Sequence, residues 1–517
     1  MAAIEIFVLV LSSVLCMFFL LKAVRFLHKV WWNPLQLQAF MASQGIRGPP
    51  YSFPHGSTKD VSDILRRSME ATSSTDITHD IFRRTQPHVY AWIKTYGMNF
   101  LNWHGSQGQL FISEPELVKE ILMNKEGFFP KMDMEGYAKK LLGEALITNE
   151  GEKWERIRKL ANHTFHSESL KSMVPEMSSS VSTMLEKWKH YDGEEIDVFK
   201  EFGLLTTEVI SRTAFGSSYL EGKYIFEMVA KLTATTVRNV NKIRFPGISM
   251  VLKSDDEVEA EKLEKGIKDS VMELVKKRES LPNAKLGDFG SDYLGQLVKI
   301  RHESDIKKRI TPEQMIDEIK VIYGAGHLTT TSLLAWCIML LAIHEDWQEK
   351  TREEVKETFG FNAPNSDGVA RLRTMNLIIN ECLRLYPPAL TLTRKVSKKV
   401  KLGNLILPQN TNIFIPIAAL HHNTQIWGED ADLFKSERFA GGVAKATNNN
   451  AAAFLPFGMG PRTCVGLNFT TNEAKIALSM ILQRFKSLLR KRNYGVILMT
   501  QILHIATRRR KNMYNGR

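Results

Sequence analysis

Apolar positions along the chain fall into two regimes. Residues 6–21 read IFVLVLSSVLCMFFLL without a charge. Helical continuation through Phe26 and Leu27 adds about one more turn, with Lys22 and Arg25 reaching back to an interface, so this segment predicts a membrane-spanning helix. Beyond residue 50 apolar residues recur at helical spacing over 168–191, 201–215, 256–279 and 369–385. Short strand-like runs occur at 110–112, 401–407 and 411–416 and around 495–499. The polar stretches 283–291 and 441–450 read as surface loops. There is no repeat, no long linker and no βαβ alternation, so the expectation is one large, mainly α domain with a small β subdomain.

The clearest helix starts at Thr311-Pro312-Glu313-Gln314, where Thr311 caps, Pro312 fits the first turn and Gln314 stands at the capping-box position. Its pattern continues to about His344, a length of about 50 Å at roughly 1.5 Å per residue. The middle of this helix, GAGHLTTT over 324–331, is costly. Each glycine gives up roughly 1 kcal/mol against alanine, and three threonines crowd the turn. Either a flat body or a crossing helix presses against this backbone.

The chain has 517 residues, and 69 Lys+Arg against 56 Asp+Glu give a net charge of +13. With 44% apolar residues it fills a large core, which excludes a disordered, collagenous or coiled-coil chain. Four cysteines without a paired C-x-x-C make neither a disulfide framework nor a zinc site. The positive charge suits an anionic membrane or an acidic protein as well as a nucleic acid. Only Glu5 precedes the apolar run, whereas Lys22, Arg25, His28 and Lys29 follow it. That asymmetry places the body in the cytosol, and the missing basic n-region argues against a cleaved signal peptide. The glycosylation patterns at Asn162 and Asn468 then never meet their machinery. GIRGPP at 45–50 stops helical continuation. The expected division is an anchor at 1–30, a linker with a proline-rich hinge at 31–50 and one globular domain at 51–517.

The most informative segment is FGMGPRTCVG, 457–466. Three glycines and a proline build a tight turn around Cys464, followed by a helical pattern. Orphan N–H groups at the start of that helix favour a thiolate. From these residues alone Cys464 is a nucleophile, a metal ligand or a buried thiol.

The segment resembles the haem-binding region of the cytochrome P450 family. The resemblance implies that Cys464 is the thiolate ligand of haem iron and so the metal ligand, that Arg462 contacts a haem propionate and that Phe457 packs beside the sulfur. A thiolate ligand suits O–O cleavage. Further segments agree in order. Trp154-Glu155-Arg156-Ile157-Arg158 matches the family's W-x-x-x-R pattern, which implies that Trp154 and Arg158 donate toward the propionates. Glu381 and Arg384, followed by Tyr386-Pro387-Pro388 and later by Arg438, resemble the family's buried triad, with Ser436 where a proline is usual. Arg394 matches another propionate-contacting arginine.

One motif is broken. The family's central helix usually carries an acid before its threonine, and this chain reads Ala325-Gly326-His327-Leu328-Thr329-Thr330. By resemblance Gly326 lets the helix approach haem and Thr329 helps to deliver protons, but Leu328 holds no proton. Either protons arrive through water and another polar side chain, with His327 and Thr330 nearest in sequence, or the fold isomerises or dehydrates an already oxygenated substrate. A haem-binding membrane protein without catalysis is a further alternative. The retained motifs favour a monooxygenase performing R–H + O2 + 2 electrons + 2 protons giving R–OH + H2O, with heme b as cofactor. No nucleotide-binding glycine pattern follows a strand, so the resemblance implies an external donor, NADPH–cytochrome P450 reductase, in the endoplasmic reticulum membrane. The basic tail RRRK, 508–511, suits that partner or anionic lipid equally. GIRGPPYSFPHG and ECLRLYPPALTLTR are similar to the plant clan that includes gibberellin, brassinosteroid and triterpenoid hydroxylases, which implies a terpenoid or terpenoid-derived hormone as substrate. By position, substrate contacts are expected from 131–142, from 224–249, from 389–393 and from the helix face carrying Tyr323, Ala325 and Thr329.

Overall fold

The computed structural model describes residues 2–71, 79–191, 196–217, 219–239 and 253–486. The amino-terminal run forms a helix over Ala2–Leu27 whose apolar side chains are exposed. A π-helical turn at His28–Trp32 joins it to the helix Asn33–Ala42, so the helical backbone continues well into the stretch expected to be linker. Tyr51 explains where this second helix goes. Its hydroxyl donates to the Val30 carbonyl, and its N–H donates to Gln38 Oε1 at 2.7 Å. Gln44 then exchanges two hydrogen bonds with the backbone of Ile406, at 3.1 and 2.6 Å. The segment that follows is pinned as well. A Cβ on Gly48 would come within 1.8 Å of the Leu101 carbonyl oxygen, so only glycine allows the chain to lie against that strand.

Among the described residues two helices are long and apolar enough to cross a membrane. One is the exposed amino-terminal helix. The other, Pro312–Ile343, has 61% of its apolar window buried inside the protein and is the core helix of the fold. It begins as the sequence predicts, with reciprocal hydrogen bonds between Thr311 and Gln314. The helices Ser167–Trp188, Val198–Phe215 and Leu467–Arg484 pack with it into a bundle.

The β subdomain is mixed. Strands β1 (Asn99–His104), β2 (Gln107–Ile112), β3 (Thr391–Lys395) and β6 (Asn412–Pro416) form one sheet in the order β1-β2-β6-β3. β2 and β6 run parallel and the other neighbours antiparallel. The expected run at 401–407 is a hairpin of β4 (Val400–Leu402) and β5 (Leu405–Leu407) turning at Gly403. Met41, Leu101, Trp103, Leu110 and Ile413 fill the core on one side of the sheet.

The single helix expected at 369–385 is two, Ser366–Arg371 and Arg373–Leu385. Glu354 from another helix accepts hydrogen bonds from the Thr374 and Met375 N–H groups at 2.6 and 3.0 Å, which satisfies the start of the second one. The stretches read as loops contain a 3-10 turn at Pro282–Leu286 and a short helix at Gly442–Ala446. The strand expected at 495–499 and the basic run 508–511 lie outside the described residues.

Candidate active site

The cysteine turn is fixed by its backbone. Gly458 and Gly460 have φ of +69° and +73°, a region costly for residues with a Cβ. At Gly460 a Cβ would also stand 2.4 Å from the Leu122 carbonyl oxygen. The Cys464 N–H donates to the Phe457 carbonyl at 2.8 Å, and Thr463 N–H donates to that of Gly460 at 3.0 Å. Phe457 itself is half-buried and packs on the main core. Arg158 reaches across from the helix Gly151–Thr164 and donates through Nη1 to the Thr463 carbonyl at 2.6 Å. The Cys464 side chain is accessible although protein surrounds it. Burial pushes its thiol up, while the Gly466 N–H and the Arg158 charge pull the other way.

Beside the turn lies a group of cations short of anions. Arg462 pairs with Glu150, donates to the Asn149 carbonyl at 2.8 Å and stands 4.0 Å above the Trp154 ring. Trp154 therefore serves as the platform for a cation, a contact the W-x-x-x-R pattern did not reveal. Arg394, on β3, is 4% exposed, and its Nη1 donates to the Thr393 carbonyl. Burial and the Arg462 charge hold its pKa at about 10. Lys131 is lowered to about 7 by burial and by Arg394 and Arg462. Glu150, which also accepts the Lys131 N–H at 2.6 Å, is the carboxylate that opposes these shifts. A half-buried group of positive charges with one exposed carboxylate beside it is unfavourable unless an anionic ligand completes it. Two propionates and a soft sulfur donor fit this set of residues, so the site passes the test for haem. The sequence placed Lys131 only in the expected substrate-contact stretch 131–142 and missed Glu150. A lone acid just before the W-x-x-x-R helix carries no local signature.

Below the turn, Glu381 and Arg384 are wholly buried and joined by two hydrogen bonds of 2.8 Å. Arg438 Nε stands 3.6 Å from Glu381, and its Nη1 donates to the Trp427 carbonyl at 2.7 Å. Arg384 also donates to the carbonyls of His421 and Ala431. The three residues tie the 421–438 segment to their helix.

The long helix presents one less-buried face, made by Ala325, Leu328, Thr329, Ser332 and Trp336, at i, i+3, i+4, i+7 and i+11. Thr329 Oγ1 donates to the Ala325 carbonyl at 2.6 Å. Gly326 faces elsewhere. A Cβ there would come within 2.9 Å of Ile210 Cδ1, so this glycine admits the helix Val198–Phe215. His327 turns to the same helix, with Nδ1 at 2.9 Å from Thr206 Oγ1 and 3.1 Å from Thr207 Oγ1, and burial lowers it to about 4. Thr330 donates to Thr470 at 3.4 Å. Neither polar neighbour of Leu328 thus shares the face of Thr329.

Of the expected substrate contacts, Tyr323 is instead core. It is fully buried, stacked on Phe215 at 4.0 Å and met edge-on by Phe226. Ala389 is exposed, and Thr391 accepts from Gln86 Nε2 at 2.9 Å. Residues 240–249 lie outside the described residues, and 131–142 contain the helix Gly136–Leu142 with Tyr137 buried.

The sequence matches the cytochrome P450 family over residues 79–514. It is 55% identical over 475 residues to cytochrome P450 CYP749A22 of Panax ginseng, covering 92% of this chain and 90% of that one. It is 39% identical over 475 residues to the 11-oxo-beta-amyrin 30-oxidase of Glycyrrhiza uralensis, with 89% and 88% covered. Secologanin synthase 2 of Catharanthus roseus is 37% identical over 474 residues, with 89% of each covered. Likeness of this extent, across a chain with the cysteine turn and its cations in place, means that the protein belongs to the cytochrome P450 family and is a haem-thiolate monooxygenase whose cofactor is haem b.

Proposed function

We propose that Cys464 is the ligand of the haem iron and that this enzyme hydroxylates a bulky hydrophobic terpenoid or a terpenoid-derived hormone. The observation that carries the reading is the accessible Cys464 sulfur in a glycine-fixed turn beside Arg158, Arg394, Arg462 and Lys131. The substrate class rests on relatives such as the 11-oxo-beta-amyrin 30-oxidase and on the apolar side chains Ala325 and Leu328 of the site face.

Bound haem b supplies reductive activation of dioxygen and insertion of one oxygen atom into a C–H bond. The chain's residues do the rest. The Gly466 N–H and the Arg158 guanidinium favour anionic sulfur at Cys464. Arg394, Arg462 and Lys131 hold carboxylates, with Arg462 held over the Trp154 ring. Arg158 fixes the Thr463 carbonyl and so the direction in which the sulfur points. Phe457 accepts the Cys464 N–H at its carbonyl and packs on the main core. Thr329 holds a proton at Oγ1, turned toward the Ala325 carbonyl until a better acceptor arrives. Gly326 acts indirectly, by setting how closely the long helix packs on Ile210. Ala325 and Leu328 exclude water and orient the substrate by shape.

The exposed amino-terminal helix anchors the protein in the endoplasmic reticulum membrane, with the catalytic body in the cytosol beside NADPH–cytochrome P450 reductase. The charge asymmetry around residues 5–29 supports that orientation, and the basic surplus suits an acidic flavoprotein. Microsomes containing both proteins, incubated with a terpenoid and plant-hormone panel under 18O2, test the reading. A product heavier by one labelled oxygen atom is expected. Conversion without label would instead establish an isomerase or dehydratase, the alternative raised by Leu328 in place of the usual acid.

A further inference from the structure

The site face of the long helix ends on an aromatic array for which hydroxylation has no use. Trp336 lies on that face seven residues beyond Thr329, about 10 Å along the helix at roughly 1.5 Å per residue. Its indole is stacked on the Tyr386 ring, with centroids 3.7 Å apart and planes 8° from parallel, the closest ring pair among the described residues. Tyr386 caps the helix Arg373–Leu385 and is 2% exposed. Its hydroxyl donates to Nδ1 of His79. His79 is half-buried and stacks in turn on His344, with centroids 6.2 Å apart. An indole, a phenol and an imidazole thus run in direct contact from the site face toward the surface.

Packing alone asks for less. A stack needs only two aromatic rings, as in Phe215 on Tyr323 at 4.0 Å. Here the stacked rings are the two kinds of side chain that most readily give up an electron from a ring, and the phenol points its proton at a base. Burial holds the Tyr386 phenol well above its usual range, so it keeps its proton. Burial and the charges of His344, His422 and Arg384 lower His79 to about 4, against the opposing charge of Asp432. His79 is therefore neutral at neutral pH and accepts at Nδ1. A phenol that has lost an electron is a far stronger acid than imidazolium, so its proton crosses to Nδ1 despite those charges. The indole beside the cysteine turn is placed differently. Trp154 carries the Arg462 guanidinium 4.0 Å above its ring, and that charge opposes loss of an electron.

We propose that Trp336, Tyr386 and His79 form a route that drains oxidising equivalents from the haem site when no C–H bond stands ready to receive them, a protective one-electron activity besides hydroxylation. The inference rests on the monooxygenase reading. The site takes one electron from Trp336, and the indole radical cation takes one from Tyr386. The Tyr386 O–H bond breaks as its proton passes to His79 Nδ1. This leaves a neutral phenoxyl radical, an imidazolium and a restored Trp336. A small reductant of the ascorbate or thiol class then gives one electron at the His79 end and departs as its own one-electron oxidation product. The proton returns from Nδ1 to the phenoxyl oxygen, and the route is reset. Cys337, next to Trp336, and Cys382, whose carbonyl accepts the Tyr386 N–H at 2.7 Å, are fully buried and are the thiols that this route spares from oxidation.

The test uses full-length, haem-replete protein without substrate, mixed with a peracid that delivers the oxidising equivalent without a reductase and then rapidly frozen. Electron paramagnetic resonance of wild type is expected to show a neutral tyrosyl radical whose g-values report a hydrogen bond from protonated His79. Tyr386→Phe, which keeps the stacked ring and removes only the hydroxyl, is expected to lose that signal. Tyr90→Phe, on the helix Pro87–Tyr96, is expected to keep it. Trp336→Phe is expected to delay its appearance, and His79→Phe to shift its g-values, which lost packing does not do. Repeated peracid is expected to bleach the haem faster in Tyr386→Phe than in wild type, with ascorbate slowing the loss in wild type alone. A tyrosyl signal that is unchanged in Tyr386→Phe, or absent from wild type whose haem bleaches, overturns the inference. Should Tyr386→Phe fail to fold, His79→Phe, which leaves both stacked rings in place, decides, and unchanged g-values overturn the route. Wild type that forms no labelled product in reductase-containing microsomes counts against the monooxygenase reading. Wild type that forms it yet gives no tyrosyl signal counts against this route alone.

Discussion

Arg158 donates to the carbonyl of Thr463, the residue before Cys464, at 2.6 Å. One arginine, from a helix more than three hundred residues away in sequence, thus fixes the backbone that aims the cysteine. Its charge also lies close enough to favour anionic sulfur.

Arg158→Leu is therefore expected to weaken haem retention more than global folding. A hydrogen bond from a charged donor contributes roughly 1.5–3 kcal/mol, so haem loss to a scavenger should speed up by about tenfold or more. Arg158→Lys should recover only part of this, because a lysine cannot reproduce the guanidinium geometry.

Glu381→Gln and Arg384→Leu each strand a buried partner. Both residues are fully enclosed, and breaking such a pair costs roughly 3–5 kcal/mol. Either variant is expected to accumulate as protein without haem. Chemical unfolding should show losses in the double variant well short of the sum of the single ones, because the two residues share one interaction.

Gly460→Ala is expected to fail through its backbone. The left-handed φ of +73° alone costs a non-glycine residue roughly 1–2 kcal/mol, and the added Cβ meets the Leu122 carbonyl oxygen at 2.4 Å. Gly45→Ala, at a φ of +86° but in open space, is the control and should cost only the first term. Thermal unfolding of the two variants separates strain from clash.

Lys131 gives a pH dependence of definite sign. Burial and two arginines lower it to about 7, whereas an unfolded lysine titrates near 10.4. Between those values the unfolded chain binds more protons, so the stability of the haem-free protein rises with pH across that window. Lys131→Met is expected to abolish this slope. Bound propionates restore a partner to the ammonium, so haem should flatten it too. Denaturant unfolding at about pH 7 and about pH 9 checks both outcomes.

Much of this architecture was legible because its signals are local. The reciprocal Thr311–Gln314 cap and the apolar run at 6–21 each lie within a few turns of chain. The motif order around Cys464 led to the same cluster of side chains that the fold assembles. What escaped depends on distant partners. β1 and β3 are strands because β2 and β6 hydrogen-bond to them, and NFLNWH and TLTRK alone do not announce that pairing. The break at Leu372 follows from Glu354 capping a helix other than its own. Gly326 reads as a haem contact until the position of Ile210 is known. Tyr323 reads as pocket lining until Phe215 and Phe226 enclose it.

The most direct measurement is the absorbance difference spectrum of the reduced, haem-replete protein with and without carbon monoxide, for wild type and Cys464→Ser. The account predicts the band that gives the P450 family its name in wild type and its loss in the variant. A wild-type protein that folds with haem yet lacks the band, or a serine variant that keeps it, would contradict the assignment of Cys464 as the thiolate ligand.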